Sequence, residues 1–154
     1  MIKLLRVDHR LLHGQVVFSW VSHLKPNCIL VANDDVVNDE LRKTTLRLSK
    51  PNGVKLVIKS ISDSIAAIEA GKTDKYDLMV VVSNVADAVH LATSIEQIDA
   101  IDLDGTKPTD QTRAYAKSIN LTDDDVALLN DAKAKGIDVY IQAVPADRKQ
   151  EFVA

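Results

Sequence analysis

The sequence predicts a doubly wound α/β fold, with helices on both faces of a mainly parallel central sheet of about seven strands. Three observations lead there. Short apolar runs alternate with helix-like segments along the whole chain, the order expected when each strand is followed by a helical crossover. The runs at 28–32 and 78–82 are apolar throughout rather than at every second residue, as in parallel strands buried on both faces. No internal repeat or composition break divides the 154 residues, an ordinary length for a single domain spanning 1–154.

Residues 2–7 read as the first strand. From Gln15 onward Val16, Trp20 and Leu24 recur at four-residue steps, so a helix over 15–24 lays one apolar stripe on the sheet. Pro26 and Asn27 stop that helix, and 28–32 is the second strand. Asn33, Asp34 and Asp35 end it, and Asn38 is placed to cap a helix running through Leu48 with Leu41, Thr45 and Leu48 inward. Pro51-Asn52-Gly53 turns the chain into a third strand over 54–59. Ser60-x-x-Asp63 is a capping-box pattern that opens a helix with Ile61, Ile65 and Ile68 on one stripe, closed by Gly71. Residues 78–82 are the most apolar run and are expected at the centre of the sheet. Ser83-Asn84 follows, then a helix carrying Val85, Val89 and Ala92. A fifth strand over 98–103 leads into a loop over 104–113 rich in Gly, Thr, Pro and Asp. Residues 116–121 read as a sixth strand. Thr122-x-x-Asp125 opens a helix through Ala134 that ends at Gly136. Ile137, Val139 and Ile141 alternate with polar residues, which predicts a last strand toward a sheet edge, and Pro145 then leaves a polar tail.

Composition removes several classes of function. Hydrophobic residues at 46% and charged residues at 27% suit a soluble globular chain. A net charge of −3 with 4% aromatics provides no basic stripe for nucleic acid. The apolar runs are too short to span a bilayer, and MIKLLRVDHR carries charges too early for a signal peptide, so a cytoplasmic protein is expected. The one cysteine, Cys28, falls inside an apolar run and reads as a buried structural thiol. Neither GxGxxG nor GxxxxGK[ST] occurs, and no nucleotide, cofactor or metal is expected.

The chemistry concentrates in Val7–Trp20, VDHRLLHGQVVFSW. It reads as strand, polar loop, helix, and in a parallel α/β fold such a loop faces the free N–H groups that open the helix. Those groups and the helix dipole favour anions. Arg10 offers a fixed fork of donors for phosphate oxygens, Gly14 allows close backbone approach, and Gln15 is placed to donate or simply to start the helix. A neutral imidazole is nucleophilic, so His13 is the expected phosphoryl acceptor. Asp8 is placed either to orient His13 or Arg10, or to cap the loop. Ser83 faces the same rim and is a further phosphate-binding candidate.

The run Arg10-Leu11-Leu12-His13-Gly14-Gln15-Val16 with Trp20 resembles the active-site loop of the EIIB component of the mannose/sorbose family of sugar phosphotransferase systems. Ala32-Asn33-Asp34-Asp35, Asn38–Lys43, Thr106-Lys107-Pro108 and Val144-Pro145 are similar to later landmarks of that family, so the resemblance covers nearly the whole chain. It implies a phosphohistidine intermediate on Nδ1 of His13, an EIIA partner as donor, and a sugar held by membrane components EIIC and EIID as final acceptor. Arg42 is then a candidate for partner docking. His9 departs from the family pattern, where a small polar or acidic residue is commoner. Two other readings compete: a regulatory module that docks phosphotransferase partners without turnover, and a metal-assisted hydrolase built on His9, His13, Asp34 and Asp35.

Overall fold

The computed structural model describes residues 1–154. Strand β1 (Ile2–Val7) is followed by α1 (Gly14–Leu24), β2 (Cys28–Ala32), α2 (Glu40–Ser49), β3 (Lys55–Lys59), α3 (Ile61–Glu69), β4 (Leu78–Val82), α4 (Val85–Ser94) and β5 (Ala100–Leu103). Then come β6 (Arg113–Ala116), β7 (Ile119–Leu121), α5 (Asp123–Ala134), β8 (Asp138–Ile141) and β9 (Gln150–Glu151). The main sheet has the order β3-β2-β4-β1-β5-β8-β9, parallel except for the last pair.

The winding explains why both faces are covered. From β1 the chain moves outward over β4 to β2 and then β3; from β3 it returns over β2 to β4, then over β1 to β5. Right-handed crossovers travelling in opposite directions carry their helices on opposite faces. Val17 and Trp20 of α1 and Leu46 of α2 accordingly pack on Leu4, Ile29, Val31, Met79 and Val81. On the other face Ile68 of α3, Val89 of α4 and Leu129 of α5 pack on Leu5, Leu30, Val80, Ile101 and Val139. Successive residues of β4 alternate between the two cores, as the pleat requires, and all five are buried. Cys28 is buried at the start of β2.

Three sequence expectations change. Residues 116–121 are not one strand of the main sheet. They belong to an antiparallel hairpin, β6-β7, that reverses at Lys117-Ser118, where Ser118 takes φ 67° without the glycine or asparagine that usually announces such a turn. The tail is not merely polar: β9 pairs antiparallel with β8, drawn in by Phe152, which is buried against Tyr115. Helix α2 begins later than expected, because a 3₁₀ turn (Val36–Asn38) precedes it with Val36 buried. Asp39, not Asn38, caps it by accepting the Arg42 N–H. Only Leu46 reaches the core, while Thr45 is exposed and Leu41 and Leu48 are 77% and 83% exposed.

Candidate active site

Every parallel strand delivers its carboxyl end to one rim, which places Asp8 after β1, Asn33 after β2, Ser83 after β4 and Asp104 after β5. The chain leaves β1 toward one face and leaves β4 and β5 toward the other, so a crevice opens at β1, the switch point where α/β sheets bind ligands. The loop over 8–13 occupies it.

That loop is held by its own polar groups. The Asp8 amide donates to Val82 O at 2.9 Å, and the Asp8 carbonyl accepts the Leu11 N–H at 2.8 Å, closing a turn. Oδ1 of Asp8 accepts the Arg10 amide at 2.9 Å and its Nε–H at 3.3 Å. Asp8 therefore orients Arg10 and makes no hydrogen bond to His13. Leu11 is forced to φ 62°, a conformation that costs of order 1–3 kcal/mol and is retained because the Leu11 and Leu12 side chains are buried under α1. Gly105 on the neighbouring loop also takes a positive φ, and a Cβ there would stand 2.9 Å from Asp8 Oδ1. Its carbonyl accepts the His9 amide at 2.7 Å and faces His9 Nδ1 at 2.9 Å.

His13 emerges from this loop as the N-cap of α1, extended at φ −130°, with its carbonyl receiving the Val16 and Val17 amides and its ring exposed without a side-chain partner. The amides of Leu12, His13, Gly14 and Gln15 donate to no acceptor in the chain. Free amides at a helix N-terminus, with its partial positive charge, suit an anion beside the imidazole. Arg10, three residues before His13, has a side chain 42% exposed and a guanidinium engaged only through Nε, which leaves its terminal nitrogens available.

Beneath the loop lies a buried charge cluster that the sequence reading missed. Arg6 is 1% exposed; Nη1 donates to Asp102 Oδ2 at 3.1 Å and reaches Gln142 O at 3.4 Å, Nη2 is paired with Asp104, and Asp8 Oδ2 lies 4.0 Å away. The guanidinium also stacks 5.7 Å over the Trp20 ring, whose Nε1–H donates to Ala143 O at 3.0 Å. Trp20 thus ties α1 to the end of β8. Three carboxylates share one cation, so burial dominates: it pushes Asp102 up to about 7 against the pull of Arg6, and it raises Asp104 as well. A signal was available, because an arginine inside IKLLRV and acids at i and i+2 in IDLD interrupt buried strands and require partners.

The remaining candidates separate. Gly14 and Gln15 form the exposed first turn of α1. Ser83 sits beside Asp8 on the rim, its Oγ accepting from Asn33 at 2.9 Å and Asn84 at 3.3 Å. Arg42 is exposed on α2 with its guanidinium in no ion pair. Thr106 is committed to the hairpin, donating to Asn120 O at 2.7 Å. Asp34 caps α3 by accepting the Ile61 amide at 2.8 Å. No three His, Cys, Asp or Glu side chains meet in metal-ligating geometry. His23 and His90 are exposed.

The chain matches the family model of the PTS system sorbose subfamily IIB component over residues 2–154. It is 30% identical over 155 residues to a probable phosphotransferase enzyme IIB component of Streptococcus pyogenes serotype M6, covering 97% of this chain and 95% of that protein. It is 26% identical to the mannose-specific EIIAB component of Escherichia coli K12, covering 99% of this chain and 47% of that protein. The crystal structure of the IIBSor domain of the sorbose permease from Klebsiella pneumoniae superposes with a TM-score of 0.92 at 26% identity, over 98% of this chain and 93% of that one. The chain belongs to the sorbose-subfamily IIB components of the sugar phosphotransferase system.

Proposed function

We propose that this chain acts over 1–154 as one phosphoryl-carrying unit, with His13 as the covalent intermediate. The observation that carries the reading is the exposed His13 imidazole set among four unpaired amides at the start of α1. In the first step the P–N bond of a phosphohistidine on EIIA breaks as Nδ1 of neutral His13 forms a new one. In the second a sugar hydroxyl takes the phosphoryl group, loses its proton, and returns the imidazole free. His13 is nucleophile first and leaving group second.

Phosphoryl transfer asks mostly for positioning and for charge stabilisation on the equatorial oxygens. Arg10 supplies the cation, held at an angle by Asp8, and the Leu12–Gln15 amides supply fixed dipoles. Ser83 offers a further hydroxyl on the same rim. The fused mannose-specific EIIAB relative supports an EIIA donor, since that protein carries both components by name. EIIC and EIID would present the sugar, so the protein would work at the cytoplasmic face of the membrane. No helix of the chain is long and apolar enough to cross a bilayer. Arg42, exposed and unpaired, is positioned for a negatively charged, phosphorylated partner.

Formation of sugar phosphate by membranes containing EIIC and EIID, with EIIA and phosphoenolpyruvate supplied, tests the full cycle. Turnover that requires this chain supports the carrier, whereas partner binding without sugar phosphate would make it a regulatory module.

A further inference from the structure

A second concave site lies away from the His13 crevice. It is a cavity of about 280 Å³ on the face covered by α3, at the edge of the sheet, and its floor includes Cys28, Lys55 and Leu78, the first residues of β2, β3 and β4. The lining runs along edge strand β3 from Lys55 at its amino end to Lys59 at its carboxyl end and includes no residue of the His13 loop. Leu30 and Val57 extend the apolar floor.

Four lysines line it, Lys55 and Lys59 from β3 and Lys72 and Lys75 from the segment before β4, and no carboxylate does. None of the four has an acidic partner within 4.0 Å, although the chain as a whole carries three more negative than positive charges. Two of them converge on Tyr76: Lys55 Nζ donates to its hydroxyl at 2.8 Å and stands 5.1 Å from the ring, and Lys75 stands 5.2 Å from it. The hydrogen bond from Lys55 holds the Tyr76 phenol below its ordinary pKa, a sign of the local positive field. Charges on an exposed edge strand guard against strand pairing, which accounts for Lys55 and Lys59. It does not account for Lys72, Lys75 and Tyr76, which lie off that strand.

We propose that this cavity binds a small organic anion, with an apolar or aromatic body on the floor and a carboxylate or phosphate head among the lysines. The volume is at the lower end for a small-molecule site and too confined for a folded partner. Unpaired cations beside apolar surface lose least when the ligand brings both the countercharge and the hydrocarbon. The inference does not depend on the role of His13.

The probe is 1-anilinonaphthalene-8-sulfonate, an aromatic anion whose fluorescence rises on binding, titrated into the protein. One saturable site is expected. Lys55→Glu with Lys72→Glu should weaken it by at least about tenfold, and Ala67→Leu, which fills the cavity from α3 without changing charge, should also weaken it. Thermal unfolding of each variant checks that it is folded. His13→Ala should leave the affinity unchanged, which separates this site from the carrier function. Absence of saturable binding, or equal affinity in the charge-reversed protein, would overturn the proposal. So would binding of the native protein to phosphatidylglycerol vesicles that the charge reversal abolishes while probe affinity stays unchanged, since the lysines would then be reading a lipid surface.

Discussion

Arg10 and His13 stand three residues apart on one loop, yet they are held differently. Asp8 fixes Arg10 by two hydrogen bonds, while His13 is placed only by its backbone at the head of α1. Arg10→Ala is expected to slow phosphoryl acceptance by about a hundredfold, the cost of removing a fixed donor to developing charge. Its exposed side chain should leave stability within about 0.5 kcal/mol. Gly105→Ala should destabilise the protein by roughly 1–3 kcal/mol in urea denaturation, because the new methyl meets Asp8 and the backbone is strained. Gly53→Ala, with similar φ but open space around it, should cost less. The residues of this loop were legible because their chemistry is contiguous in sequence. Arg6, Asp102 and Asp104 were not, since their meeting depends on β1 lying next to β5, across a sequence separation of 96 and 98 residues.

Among the elements, the parallel strands and the helices that follow them were readable from runs, caps and stops. Ser60, Asn84 and Thr122 each accept the N–H three residues on, and Thr122 with Asp125 completes a capping box. Helix α2 was misread because leucines fall on both of its sides and nothing local says which side the sheet will take. Leu46→Ala should cost about 2–5 kcal/mol and Leu48→Ala no more than about 0.5, measured by denaturant unfolding. The reverse ranking would mean that the buried face of α2 is assigned wrongly. The β6-β7 hairpin escaped because a serine performs the left-handed turn, and β9 escaped because a two-residue strand carries no periodic signal.

Across the whole molecule, the winding that covers both faces of the sheet also gathers the strand ends and puts the Arg6 cluster under the His13 loop. The pH dependence of stability reports on that cluster. Asp102 titrates near 3.8 when exposed in the unfolded chain and at about 7 when buried beside Arg6, Asp104 and Tyr140. Between those values the folded protein holds a proton that the unfolded chain has released, so this group's contribution to stability falls as pH rises from about 4 to about 7. Asp102→Ala should flatten that fall, whatever it costs in absolute stability; an unchanged slope in thermal melts across the range would place the titration elsewhere.

The carrier role itself is tested most directly by intact mass. The protein and its His13→Ala variant would each be incubated with phosphoenolpyruvate, the general phosphotransferase proteins and a matching EIIA, then weighed before and after acid treatment. One acid-labile phosphoryl group on the native protein and none on the variant is the expected result. A phosphoryl group that survives His13→Ala, or none on the native protein with a donor shown to be active, would contradict His13 as the intermediate.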